Sequence, residues 1–231
     1  MAFNLATFKT RALTAIIFAL VMLIGLLGNG WTFIILFTII HFGCWYEFVK
    51  LIKINRRRFK YFLPLGLIYI TLPILMMIDA GFENNIFTYI NGNTYALRYV
   101  YIIPCGIVFS IWINDTMAYI VGSFIGETPL SAISPKKTWE GAVGGAILCI
   151  AVIAAMGWWS KLFSVRHWIM IAAICAVFGT FGDLLESKLK RIANVKDSGN
   201  LMPGHGGFLD RFDSLLIATP FVWIYTYFFM Q

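Results

Sequence analysis

The chain has 231 residues, 60% hydrophobic and 13% charged, with a mean hydropathy of +0.79. Soluble domains sit nearer half apolar and a quarter charged, and a chain of this length has too little interior to bury so many apolar helices on every face. A soluble globular protein is therefore excluded, and the net charge of +7 does not point to nucleic acid, because the cations lie in short loops beside apolar runs.

The expected class is an all-α, polytopic integral membrane protein with about seven transmembrane helices. Lys9 and Arg11 precede an apolar run from Ala12 to Leu27. No A-x-A-like site follows it, so it reads as a first span rather than a signal-peptide core. Gly28-Asn29-Gly30 reverses the chain, and Trp31 to about Val49 returns as a second span, with Trp45 and Tyr46 suited to an interfacial belt. The basic loop Lys50 to Lys60, with Arg56-Arg57-Arg58, reads as a topology anchor. Tyr61 to Ile78 forms a third span that Pro64 and Pro73 kink locally. Asp79 to Leu97 reads as a loop, and further spans are expected over Arg98 to Gly122, Gly141 to Trp159, Trp168 to Leu185 and Leu215 to Met230. Cys44, Cys105, Cys149 and Cys175 stand singly in apolar runs and read as small core hydrophobes.

Alternate loops should share their charge sign. With seven spans, the N-terminus and loops 50–60, 123–140 and 186–214 fall on one side, and only Arg98, Lys161 and Arg166 of the 18 Lys and Arg residues fall on the other. The N-terminus and both polar motif loops are thus expected to face the cytoplasm across the cell (inner) membrane. Residues 1–231 are expected to form a single membrane domain, with N-terminal helices in 1–97 and catalytic helices and loops in 98–231.

Four segments carry chemistry. Asn114-Asp115-Thr116-Met117-Ala118-Tyr119 puts a carboxylate roughly 10 Å inside its span at helical rise, where an ionisable group faces a cavity or a partner. In Ser134-Pro135-Lys136-Lys137-Thr138-Trp139-Glu140-Gly141, Ser134 is the expected N-cap and Pro135 the first helical residue. Lys136 and Lys137 beside a helix N-terminus would attract phosphate by charge and dipole. Gly141 and Gly145 have the spacing of close helix packing. Asp183 and Glu186 would share a helical face, either within reach of Lys190. Finally, Ser187 to Ser214 concentrates Lys188, Lys190, Arg191, Lys196, Asp197, His205, Gly206, Gly207, Asp210, Arg211 and Asp213 in one polar stretch. Asp210 and Asp213, with Asp183, offer hard oxygen ligands for magnesium beside substrate phosphates, and the glycines let backbone approach a phosphate. His205 reads as a residue holding the loop by hydrogen bonds rather than as a proton carrier.

In these segments the sequence resembles the membrane phosphatidate cytidylyltransferases, or CDP-diacylglycerol synthases. Ser187-Lys188-Leu189-Lys190-Arg191, Lys196-Asp197, His205-Gly206-Gly207 and Asp210-Arg211-Phe212-Asp213 match that family's C-terminal signature with its spacing, and the N-D-x-x-A-Y and S-P-K-K-T-x-E-G motifs precede it. Met202 stands where the family has Leu, Ile or Phe. The resemblance covers about residues 110 to 215. It implies transfer of CMP from CTP to phosphatidic acid, giving CDP-diacylglycerol and pyrophosphate, with Mg2+ and a candidate second cation. The cytosine base and the diacylglycerol lipid come from the resemblance alone.

By the same resemblance Asp183, Asp210 and Asp213 are the metal-site residues, and Asp210, Lys190, Arg191 and Lys196 the catalytic ones. Asn114, Asp115, Ser134, Lys136, Lys137, Thr138, Lys188, Asp197, His205, Gly206, Gly207 and Arg211 are the substrate-binding set. The expected partners are CTP, phosphatidic acid and the lipid bilayer, with no nucleic acid and with a homodimer as the candidate assembly. Two other readings stand beside this one: a CTP-dependent polyprenol or phytol kinase, and an ion-coupled membrane transporter using Asp115 and Asp183. A CDP-alcohol phosphotransferase is set aside, because its D-G-x-x-A-R signature is absent.

Overall fold

The computed structural model describes residues 5–53, 59–83, 98–199 and 206–230. Among them five helices are long and apolar enough to cross a membrane, and Ala12–Leu27 and Leu67–Ala80 are shorter apolar helical stretches. The protein is an all-α multi-pass membrane protein, as its composition requires. Its contacts divide it into two compact units, one of Met1–Tyr101 with Leu189–Phe212 and one of Ile102–Lys188 with Asp213–Gln231.

The first unit is built on the hairpin of α1 (Leu5–Leu27) and α2 (Gly30–Lys53). Its turn is closed reciprocally: Asn29 Oδ1 accepts the backbone N–H groups of Trp31 and Thr32, and Thr32 Oγ1 accepts from Asn29 N. Two donors left orphaned at the start of α2 are thereby satisfied. The buried stripe of α2 runs Phe33, Leu36, Phe37, Ile40, Cys44, Glu47, Phe48 and Leu51, the 3.6-residue repeat of a helix with one face in a core. One carboxylate, Glu47, sits on that stripe.

The third pass is broken, as its prolines predict. The short α3 (Phe59–Phe62) stops before Pro64, and Leu67–Thr71 widens to a π-helix before α4 (Leu72–Ala80). Pro73 has no N–H to give Tyr69 and its ring crowds that carbonyl, and the widened turn relieves both. Thr71 Oγ1 lies in that turn, 3.0 Å from His41 Nε2 and accepting from Trp45 Nε1 at 2.9 Å. The segment expected as a loop from Asp79 begins with helix and strand. Asp79 closes α4, and β1 (Phe82–Glu83) pairs antiparallel with β2 (Arg98–Tyr99). Residues 84–97, and the expected Arg56-Arg57-Arg58 anchor, lie outside the described residues.

The second unit holds α5 (Ile102–Ile125), α6 (Trp139–Ser160), most of α7 (Val165–Ile192) and most of α8 (Leu209–Phe229). Gly141 and Gly145 do what their spacing suggests: a Cβ on Gly145 would lie 2.6 Å from Ala118 N and Cα, and one on Gly141 2.8 Å from Ala118 O. Backbone therefore meets backbone between α5 and α6. Trp168 of α7 is seated against Gly106 and Gly157, in a core with Cys149, Ile153 and Ala172.

Three spans differ in extent from expectation: α5 begins at Ile102 rather than Arg98, which pairs in β2, and α7 and α8 differ as well. α7 continues past Leu185 to Ile192, and α8 begins at Leu209 rather than Leu215. The 28 residues of α7 make a rod of about 42 Å, longer than a hydrocarbon core of about 30 Å. Its charged C-terminal turns therefore extend beyond the apolar slab.

Candidate active site

In the first unit the charged groups are assembled by the end of α7 and the start of α8. Asn194 ends α7 in the left-handed region with φ 54°, a conformation that Asn tolerates at this position. Val195 N donates to Lys190 O and Asn194 N to Arg191 O, so the last carbonyls of the helix are satisfied and the chain turns sharply into Lys196-Asp197. Lys190 Nζ then meets Asp210 Oδ1 at 2.6 Å, with the two side chains 15% and 8% exposed. The other oxygen of Asp210 accepts Ser198 N at 2.9 Å and Gly207 N at 2.8 Å, with Ser198 Oγ at 2.9 Å. Asp210 is thus engaged on both oxygens. Gly206, at φ +82°, has no room for a Cβ beside Asp210 Oδ2. Arg191, Lys196, Asp197 and Arg211 are exposed around this pair, leaving an outward surface rich in cations.

Glu47 reaches the same group from α2, accepting from Ser198 Oγ at 2.7 Å and from Leu209 N at 2.9 Å. Neither Glu47 nor Ser198 is among the site residues expected from sequence. A carboxylate on the buried stripe of an apolar helix was the available signal for Glu47.

In the second unit Lys137 forms an ion pair with Asp183, whose Oδ1 also accepts from Ser187 Oγ at 3.3 Å. Asp213 is buried at 8% exposure and its Oδ1 accepts Ser214 N at 2.7 Å. Asp183, Asp115 and Lys137 all act on Asp213 electrostatically. Close packing permits this, since a Cβ on Gly182 would collide with the Asp213 carbonyl. Asn114 is 3% exposed, and among the described residues its Oδ1 accepts no hydrogen bond. Lys188 is exposed at the same end of α7.

The segment before α6 is not the expected helix start. Ser134 does not cap: its N–H donates to Ser131 O, and its carbonyl accepts Lys137 N within a turn. The cap is Thr138, whose Oγ1 accepts Gly141 N at 3.2 Å. Leu130 N donates to Lys137 O and Trp139 N to Thr128 O, so a hairpin-like loop claims the backbone that a helix from Pro135 would need. Glu140 completes the loop by accepting the N–H groups of Glu127 and Thr128. Lys136 is exposed, while Lys137 reaches the Asp183 carboxylate. Of the expected partners for Lys190, Asp183 pairs with Lys137, and Lys190 itself reaches Asp210. His205 lies outside the described residues.

Asp183 and Asp213 fit magnesium, which takes one or two carboxylates beside substrate phosphates rather than a full protein cage. Among the described residues no group of three or more His, Cys, Asp or Glu is arranged to hold a metal ion by itself.

The profile of the Cytidylyltransferase family matches residues 99–229, which include both charged groups apart from Glu47. The phosphatidate cytidylyltransferase of Bacillus subtilis (strain 168) is 42% identical over 135 residues, covering 58% of this chain and 49% of the relative. Phosphatidate cytidylyltransferase 5, chloroplastic, of Arabidopsis thaliana is 41% identical over 157 residues, 64% of this chain and 37% of the relative. The phosphatidate cytidylyltransferase of Staphylococcus haemolyticus (strain JCSC1435) is 42% identical over 113 residues, 48% of this chain and 43% of the relative. The alignments thus span half or less of the length of each of these relatives.

Proposed function

The chain belongs to the cytidylyltransferase family, and on that premise we propose that it transfers CMP from CTP to phosphatidic acid, releasing pyrophosphate. The observation that carries this reading is the pairing of a lysine with a carboxylate in each charged group of the matched segment, Lys137 with Asp183 and Lys190 with Asp210. A lysine so held is oriented before substrate arrives, and its remaining N–H donors can serve phosphate oxygens. The acyl-glycerol acceptor follows the names of the relatives.

In this reaction an oxygen of the phosphatidate monoester attacks the α-phosphorus of CTP. The new P–O bond forms as the bond to the α,β-bridging oxygen breaks, and that oxygen leaves with the electron pair on pyrophosphate. A phosphate monoester is already anionic near neutral pH, so no strong general base is required. Positioning and charge neutralisation do most of the work in such transfers. Lys190, Arg191, Lys196 and Arg211 are assigned to phosphate oxygens, as is Lys137 in the second unit. Asp183 and Asp213 would hold magnesium, which supplies positive charge to the triphosphate. Asp210, with both oxygens engaged, is assigned the placing of Lys190. We assign the N-terminus and the site to the cytoplasmic side of the cell membrane, a reading supported by the excess of Lys and Arg in the loops expected on that side and checked by reporter fusions to each loop.

The test is incubation of the purified protein with magnesium, phosphatidic acid and CTP labelled at either the α- or the γ-phosphorus. Label from the α-position in the lipid, with pyrophosphate released, is expected. Label from the γ-position in the lipid would instead identify a kinase, and ion transport without CTP turnover a transporter.

A further inference from the structure

Glu47 stands outside every motif and outside the matched segment, yet it is 3% exposed and built into the charged group of the first unit. A carboxylate on the buried stripe of a membrane-crossing helix is retained against a desolvation cost that hydrogen bonds must offset. Its bonds go to Ser198 Oγ and Leu209 N, 151 and 162 positions along the chain. Ser198 carries the contact onward: its N–H donates to Asp210 Oδ2, and its hydroxyl lies 2.9 Å from that oxygen. A hydroxyl has one proton, so Glu47 and Asp210 share it. Asp210 in turn fixes the Lys190 ammonium. A Cβ on either Gly199 or Gly207 would run into the Glu47 carboxylate, so the backbone on both flanks of residues 200–205 is shaped to this side chain.

We propose that Glu47 is a positioning residue of the reaction: it holds Ser198 and the first turn of α8, and through them sets the Asp210–Lys190 pair for binding substrate phosphate. The inference rests on the assignment of Lys190 to phosphate. A carboxylate that only stabilised the fold would leave the kinetics of folded enzyme unchanged, whereas a positioning residue changes them.

The experiment uses full-length enzyme in nanodiscs and the variants Glu47→Gln, which keeps the volume, and Ser198→Ala, which removes only the shared hydroxyl. Three quantities are read on folded protein: hydrogen exchange at the Ser198 and Leu209 amides, CTP affinity by direct binding, and KM against kcat for CTP. Loss of a hydrogen bond to a charged group corresponds to roughly tenfold or more. Glu47→Gln is expected to speed exchange at both amides and to weaken CTP binding and raise its KM by about that factor, with kcat falling less. Ser198→Ala should act in the same direction, and the double variant should be no worse than the poorer single one. Unchanged CTP affinity in the presence of faster exchange would overturn the proposal, as would fully additive losses. Should wild-type enzyme bind CTP but make no lipid product, the functional reading fails while binding and exchange still decide the role of Glu47. Should Glu47→Gln not fold, Ser198→Ala alone decides: normal CTP affinity and KM in it overturn the proposal.

Discussion

Replacing Asp210 by Asn isolates the Lys190 pair, because the side chain keeps its shape and loses its charge. In the native structure Oδ1 meets the Lys190 ammonium at 2.6 Å and Oδ2 accepts the N–H groups of Ser198 and Gly207. Both oxygens face donors, so whichever way the Asn amide is turned, its NH2 group opposes a donor and at least one hydrogen bond is lost. If the oxygen stays with the two backbone amides, the NH2 faces an ammonium that is 15% exposed. Breaking a buried pair by removing one partner costs 3–5 kcal/mol, and partial access of water to Lys190 puts this case near the low end, about 3 kcal/mol. That is roughly 150-fold if the whole of it appears in transition-state binding. The assay is CTP- and phosphatidate-dependent turnover on folded protein, with unfolding in detergent measured in parallel. A cycle with Lys190→Met closes the argument: the double variant should recover about 2 kcal/mol of stability relative to the sum of the singles, and should remain inactive because the phosphate ligand is gone. Asp210→Asn within threefold of native turnover and within about 0.5 kcal/mol of native stability would refute the assignment of this pair.

Asp183→Asn and Asp213→Asn should each raise the magnesium concentration giving half-maximal turnover, and a chelator should abolish turnover in the native enzyme. An unaltered magnesium requirement in both variants contradicts the ligand assignment. Gly145→Ala places a methyl 2.6 Å from the Ala118 backbone, which no side-chain rearrangement relieves, so a loss of about 2 kcal/mol is expected from overpacking, read as a fall in thermal stability in detergent. Gly206→Ala forces an L side chain into φ +82°, about 1–2 kcal/mol from backbone alone. Its Cβ also displaces Asp210, so turnover should fall more than stability does, and equal losses of the two would contradict the role of Asp210.

How much of this was legible depended on whether the determining contacts were local. The apolar runs set the helices, Pro64 and Pro73 announced the broken third pass, and the glycines at 141 and 145 foretold backbone contact, because each of these acts through its own segment. At the start of α6 the local rules favour the wrong residue, for a reason that is also physical. Ser134-Pro135 and Thr138-x-Glu140 are both acceptable helix beginnings, and the choice between them is made by Glu140 accepting the N–H groups of Glu127 and Thr128, a loop contact that no helix-capping rule includes. Local spacing offers the motif carboxylates partners among their neighbours in sequence, whereas the ion pairs join Asp183 to Lys137 and Asp210 to Lys190. Lys190 is seven positions from Asp183 and yet bonds Asp210, twenty positions away. Glu47 marks the limit most clearly. Its own segment reads as an ordinary membrane helix, and the donors that justify burying a carboxylate there lie more than 150 positions on. A lone carboxylate on the buried stripe of an apolar helix does imply that such donors exist. The sequence thus required a partner for Glu47 without identifying it, and the partner turned out to be Ser198, which also binds Asp210.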